Sequence, residues 1–235
     1  MGGYFASFLN LLQTLVCIIA NAHSAAKSLL HFSKQEKIDL LVSWLTLSLA
    51  FGLVLSDNFL SIFDIAMAIP VALLAVGTGF VFHELAHREA AKSYGFHSEF
   101  RAWYMGLAIA VGLAVATGGR FIFAAPGATY FFGHEVSRRQ NGIISVAGPA
   151  TNIVLGIILT IMAALFADKF IMSVFLYAGM INFWFAFFNL IPFGPLDGSK
   201  VLAWNPGIWV ALIAVSAALV FFPGPLLALI GISLV

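Results

Sequence analysis

Charge is scarce in this chain of 235 residues: Asp, Glu, Lys and Arg together supply 9%, against about 25% in an ordinary soluble domain. A surface so poor in charge excludes a freely soluble globular protein. The net charge of +1 provides no basic face for nucleic acid, so no such partner is expected. Cysteine is reduced to Cys17, which excludes an internal disulfide. Internal repeats are absent too, which removes the usual signature of an inverted-repeat transporter. No stretch is long and polar enough for a separate soluble domain. Residues 1–235 therefore read as a single integral membrane domain.

What is present is apolar: 62% of the residues are hydrophobic, and 21 are glycine, the residue that lets helices pack closely in lipid. The expected fold is an all-α polytopic membrane protein of about six transmembrane helices, placed in the cell membrane with the lipid bilayer as its surroundings. Residues 1–39 hold an apolar segment and a basic loop, residues 40–200 the core, and residues 201–235 C-terminal helices. Residues 4–21 read as an uncleaved span or an interfacial helix. Ser33-Lys34-Gln35-Glu36 fits a capping box opening a helix to about residue 55. A long helix over residues 65–94 ends at Gly95, a natural C-cap. Further spans are expected at 143–167, 170–190 and 206–222. Between the long helix and the next span, residues 102–117 suit a helix. Residues 120–133, aromatic and β-branched around Pro126-Gly127, read as extended chain. Extended backbone at membrane depth must line a protein-walled cavity, so this stretch is expected to be a re-entrant, hairpin-like element.

The chemistry is concentrated in His83-Glu84-Leu85-Ala86-His87. Positions four apart share a helix face, so both histidines reach one ion, and Glu84 is placed to handle the proton of a water there. Two imidazoles suit zinc. Lys27, Lys34 and Lys37 precede the span before this helix, and Arg88, Lys92 and Arg101 follow the motif; the positive-inside rule puts both ends, and the motif, near the cytoplasmic face. Catalytic zinc takes three protein ligands. A metzincin extension is excluded, because Ala90 and Ser93 occupy the positions that would need Gly and His. Asp57, Asp64 and Asp168 fall on the opposite side of the membrane, while Glu89 and Glu99 lie beside Arg88, Lys92 and Arg101 and read as a solvated face. Asp197 remains, in Pro195-Leu196-Asp197-Gly198, at the membrane level of the histidines. Either it is a turn residue or it is the third ligand; the shared depth favours the ligand. A zinc-binding transporter without protease activity is the alternative for such a cluster.

The HELAH motif on one apolar helix and the later Pro-Leu-Asp-Gly at the end of another resemble the site-2 protease family of intramembrane metalloproteases, in its stand-alone prokaryotic form without PDZ or CBS domains. The likeness covers roughly residues 60–200. It implies one Zn2+ per chain held by His83, His87 and Asp197, with Glu84 as general base. It also implies an oxyanion or substrate contact for Asn152, in Gly148-Pro149-Ala150-Thr151-Asn152. Ala86 stands where glycine is commoner in the family. The expected substrates are transmembrane segments of other proteins, bound along a strand within residues 121–131 and cut by regulated intramembrane proteolysis.

Overall fold

The computed structural model describes residues 32–123, 126–133 and 135–231. The chain divides into two units, Met1–Lys34 and Gln35–Val235; the architecture below is that of the second. The expected span at residues 4–21 lies outside the described residues.

Helix α1 (Lys34–Leu55) is followed by α2 (Ile62–Val76), a π-helical segment (Gly77–Val81) and α3 (Phe82–Ser93). The last three run on as one 32-residue helix. A π segment holds its shape only where something takes up the disturbed backbone bonds, and such segments cluster at functional sites. Here two glycines, Gly77 and Gly79, loosen the helix, and Asn152 donates its side-chain N–H to the Gly79 carbonyl at 2.7 Å. The helix ends in a Schellman motif: Gly95, at φ +82°, donates to Lys92 O, and Phe96 N–H reaches back to Ala91 O. The accompanying apolar contact joins Ala91, Phe96 and Ile144.

Strand β1 (His97–Ala102), helix α4 (Tyr104–Ala116) and strand β2 (Gly127–Phe132) come next. Then follow α5 (Arg138–Ala163), α6 (Lys169–Asn189), α7 (Asp197–Trp204), α8 (Pro206–Phe221) and α9 (Gly224–Leu229). Helix α5 is the axis of the unit, with α3, α6 and α7 packed on it. Its contact with α6 depends on small residues: a Cβ on Gly156 would fall 2.4 Å from the Phe183 ring, and one on Gly179 would fall 2.5 Å from Thr160 Oγ1. Four helices, Lys34–Leu55, Ile62–Ser93, Arg138–Ala163 and Lys169–Asn189, are long and apolar enough to cross a membrane. The expectation of about six spans is thus met by four among the described residues; α4 and α8 are apolar but shorter, at 13 and 16 residues.

The extended reading of residues 120–133 holds for β2, but its partner differs. Among the described residues, β2 pairs antiparallel with β1, Phe100 opposite Thr129 and Ala102 opposite Gly127. The outer edge of β1 is closed by α1. Glu36 accepts the Phe100 N–H at 3.2 Å, and Asp39 accepts the Ala102 N–H at 3.3 Å and the Tyr104 hydroxyl at 2.6 Å. Because outward-pointing groups lie opposite one another in an antiparallel pair, the backbone groups of Gly127, Thr129 and Phe131 point away from β1. Among the described residues that edge of β2 is open.

Arg88 corrects the reading of a solvated charged face. It is 1% exposed, and its Nε lies 2.7 Å from the wholly buried Glu36 carboxylate, with Glu89 as a second partner. Glu36 therefore ties α1 to both the motif helix and β1. Replacing Glu36 by Gln is expected to destabilise the fold by about 3 kcal/mol, the low end for leaving one buried charge short of its partner because Glu89 remains; thermal unfolding in detergent measures it.

Candidate metal centre

His83 and His87 lie one turn apart on α3, and the π segment before them sets which face of the long helix they occupy. Both are buried, as is Asp197. The Nε2 atoms of His83 and His87 are 3.0 Å apart. Asp197 Oδ2 is 3.0 Å from His87 Nε2 and 3.3 Å from His83 Nε2. Among the described residues this trio is the group of His, Cys, Asp or Glu side chains that could hold a metal ion. The structure thus brings together the three residues that the sequence reading selected, across a separation of more than a hundred positions.

The donor geometry fits a tetrahedral ion. Corners about 2.0 Å from a centre are separated by about 3.3 Å, and 2.0–2.2 Å is the usual zinc distance to nitrogen or carboxylate oxygen. Hydrogen bonding on the far side of each ring gives the same answer. His83 Nδ1 donates to Asn152 Oδ1 at 2.5 Å, and His87 Nδ1 donates to the Ile144 carbonyl at 2.7 Å. With the protons on Nδ1, both Nε2 atoms present lone pairs. Two lone pairs and a carboxylate facing one another within 3.3 Å need a cation between them. Asp197 Oδ2 faces both Nε2 atoms and supplies the third, anionic donor.

The backbone around the trio leaves room for that cation. Gly148 of α5 sits directly over it, and a Cβ there would fall 2.5 Å from His87 Nε2 and 2.6 Å from His83 Nε2. Gly198 explains the residue after Asp197: a Cβ would lie 2.0 Å from the Leu190 carbonyl oxygen, so only glycine lets α7 start against the end of α6. Gly194, at φ +55°, turns the chain between them. Asp197 is accordingly the first residue of a helix, with its carboxylate facing both histidines. Its other oxygen lies 3.5 Å from Lys200 Nζ.

Asn152 is wholly buried and reaches the site as expected, but its bonding differs from that of an oxyanion donor. Its Oδ1 accepts from His83, and its Nδ2 donates to both Gly79 O and Asn182 Oδ1. Both amide hydrogens are committed, which leaves none for a substrate. Asn182 in turn donates to Thr78 Oγ1 at 2.8 Å and Ala178 O at 2.9 Å. Sequence reasoning missed Asn182, although an Asn within the apolar residues 170–190 was a visible signal. It also missed Thr129, whose hydroxyl donates to Glu84 Oε2 at 2.8 Å; nothing in the residues around it marks it out. Glu84 itself is half-buried beside β2. Glu135 is exposed and His97 is exposed, in keeping with surface roles, while His23, His31 and His134 lie outside the described residues.

Two substitutions test this geometry. Gly148→Ala puts a methyl group where the ion belongs, and the purified protein is expected to lose its zinc while keeping its helical content. Asn152→Ala frees the His83 ring, and zinc affinity is expected to fall about 10–100-fold, the usual effect of removing a ligand's orienting partner; chelator competition measures both.

No protein-family profile matches the chain, and no solved structure matches it. Among curated proteins, it is 40% identical over 183 residues to a protein of Methanocaldococcus jannaschii named "Putative zinc metalloprotease", an alignment that covers 77% of this chain and 91% of that one. That name supports zinc, and the His83, His87 and Asp197 trio is the group that could hold it. With a donor set of this kind and identity of this extent, the chain belongs to that zinc metalloprotease family.

Proposed function

We propose that this protein is an intramembrane metalloendopeptidase of the site-2 type, one that hydrolyses peptide bonds within or near transmembrane segments of other membrane proteins. The observation that carries the reading is the position of the trio and Glu84. His83, Glu84 and His87 lie on a helix long and apolar enough to cross a membrane, beside an unpaired strand edge, and Asp197 faces the two histidines from the start of α7. Ionisable groups in such a setting are costly unless used. A transporter would call for ligands at several depths, and among the described residues there is one such cluster.

Zinc, when bound, polarises the scissile carbonyl and lowers the pKa of a water to about 7. The protein's own residues do the rest. Glu84 accepts the proton of the attacking water and passes it to the departing amine. His83 and His87 keep donating their Nδ1–H groups to the Asn152 Oδ1 and Ile144 carbonyl oxygens throughout, so neither ring turns from the site. Asn152 thereby serves as a positioning residue. A helical substrate bond is shielded and must be unwound, and its freed N–H and C=O groups then need partners. The outward groups of Gly127, Thr129 and Phe131 supply them by strand addition to β2. The substrates are single transmembrane segments with helix-weakening residues near the cut, and they reach the site from the cytoplasmic half of the cell membrane.

Glu84→Gln is expected to retain one zinc per chain and to lower cleavage of a transmembrane model substrate at least a hundredfold. Zinc content and product formation in detergent read the two effects separately. Full cleavage by Glu84→Gln, or zinc bound by a wild type inactive on a varied panel of transmembrane segments, would contradict the reading.

A further inference from the structure

The strand that faces substrate and the proposed base are joined by one side chain. Thr129 lies in the middle of β2, opposite Phe100, with its backbone groups on the open edge. Its side chain turns inward. The hydroxyl donates to Glu84 Oε2 at 2.8 Å, and Glu84 O lies 3.1 Å from the same oxygen. A threonine hydroxyl has one proton, and the shorter contact, to the charged acceptor, is the stronger bond. Among the described residues, no other side chain is hydrogen-bonded to the Glu84 carboxylate.

A carboxylate on a flexible side chain that must take a proton and later return it gains rate from being held in one orientation, since small misplacements are costly in catalysis. The bond from Thr129 fixes one oxygen and leaves the other to work. The sheet that supplies this bond is itself fixed from behind, because Glu36 and Asp39 of α1 clasp the outer edge of β1.

The geometry points to Thr129 as a positioning residue that aims the Glu84 carboxylate and ties it to the strand on which substrate is laid. The inference rests on the assignment of Glu84 as base. It adds a residue to the catalytic apparatus that lies on neither metal motif, and it means that displacing β2 displaces the base.

The test compares Thr129→Val, Thr129→Ala and Thr129→Ser in purified full-length protein, with zinc content, kcat and KM on a transmembrane model substrate as readouts. Val and Ala are expected to keep one zinc per chain and a KM within about threefold of wild type, while kcat falls about 10–100-fold, as for loss of a hydrogen bond to a charged group. Ser, which keeps the hydroxyl, is expected to restore kcat to within about threefold. Binding of the same substrate by Glu84→Gln, with and without Thr129→Val, is expected to be equal. If Val misfolds, the smaller Ala decides on the same criteria. A raised KM with kcat held would make Thr129 a substrate contact. Unchanged kcat in Val and Ala, a Ser variant no better than Ala, or zinc lost from all three would equally overturn the inference. Glu84→Gln with full kcat would instead overturn the base assignment, a result the Thr129 variants do not produce.

Discussion

An imidazole in an apolar interior can turn its Nε2 lone pair toward an ion only if its Nδ1 proton has an acceptor on the other side. Both histidines meet that requirement through α5: Asn152 Oδ1 accepts a hydrogen bond from His83 Nδ1–H, and the Ile144 carbonyl accepts one from His87 Nδ1–H. Helix α5 must therefore lie close along α3, in one rotational setting. Gly148 permits the approach, Asn152 fixes the rotation, and the same Asn152 steadies the π segment by bonding to Gly79. The ligand rings, the irregular turn before them and the packing of two helices thus depend on one another.

Close approach recurs wherever the site is assembled. Gly198 lets Asp197 begin a helix against the Leu190 carbonyl, and Gly156 and Gly179 bring α5 and α6 together, which carries Asn182 to Asn152. In lipid, helix association gains little from hydrophobic burial, so small residues and buried hydrogen bonds take over that role. The ion pair of Glu36 with Arg88 extends the arrangement to α1 and to the sheet. The polar groups buried around the centre are partnered, in keeping with the high cost of leaving them unsatisfied away from water.

Much of this was legible in the sequence, because it rests on local pattern. Apolar length marked the four helices that could span a membrane, Gly95 marked the end of the motif helix, and four-residue spacing put His83 and His87 on one face. Depth and elimination pointed to Asp197, which stands against both histidines. What escaped was whatever depends on a distant partner. The extended character of residues 127–132 was readable, but their pairing with residues 97–102 was not, since nothing local names a strand's partner. Arg88 resembled one more cytoplasmic charge because its counter-ion stands 52 positions away on α1. Asn152 bonds to His83, and the direction of its amide is set by Gly79 and Asn182. The count of about six spans included residues 4–21, which lie outside the described residues, and residues 206–222, whose helix α8 is shorter than the four.

Zinc-edge X-ray absorption on the purified protein tests most directly the claim that His83, His87 and Asp197 hold one ion. The expected spectrum shows one zinc per chain with nitrogen and oxygen ligands at about 2.0–2.1 Å, the multiple-scattering signature of two imidazoles, and an altered first shell in Asp197→Asn. A sulfur ligand, a single imidazole, or a spectrum unchanged by Asp197→Asn would contradict it.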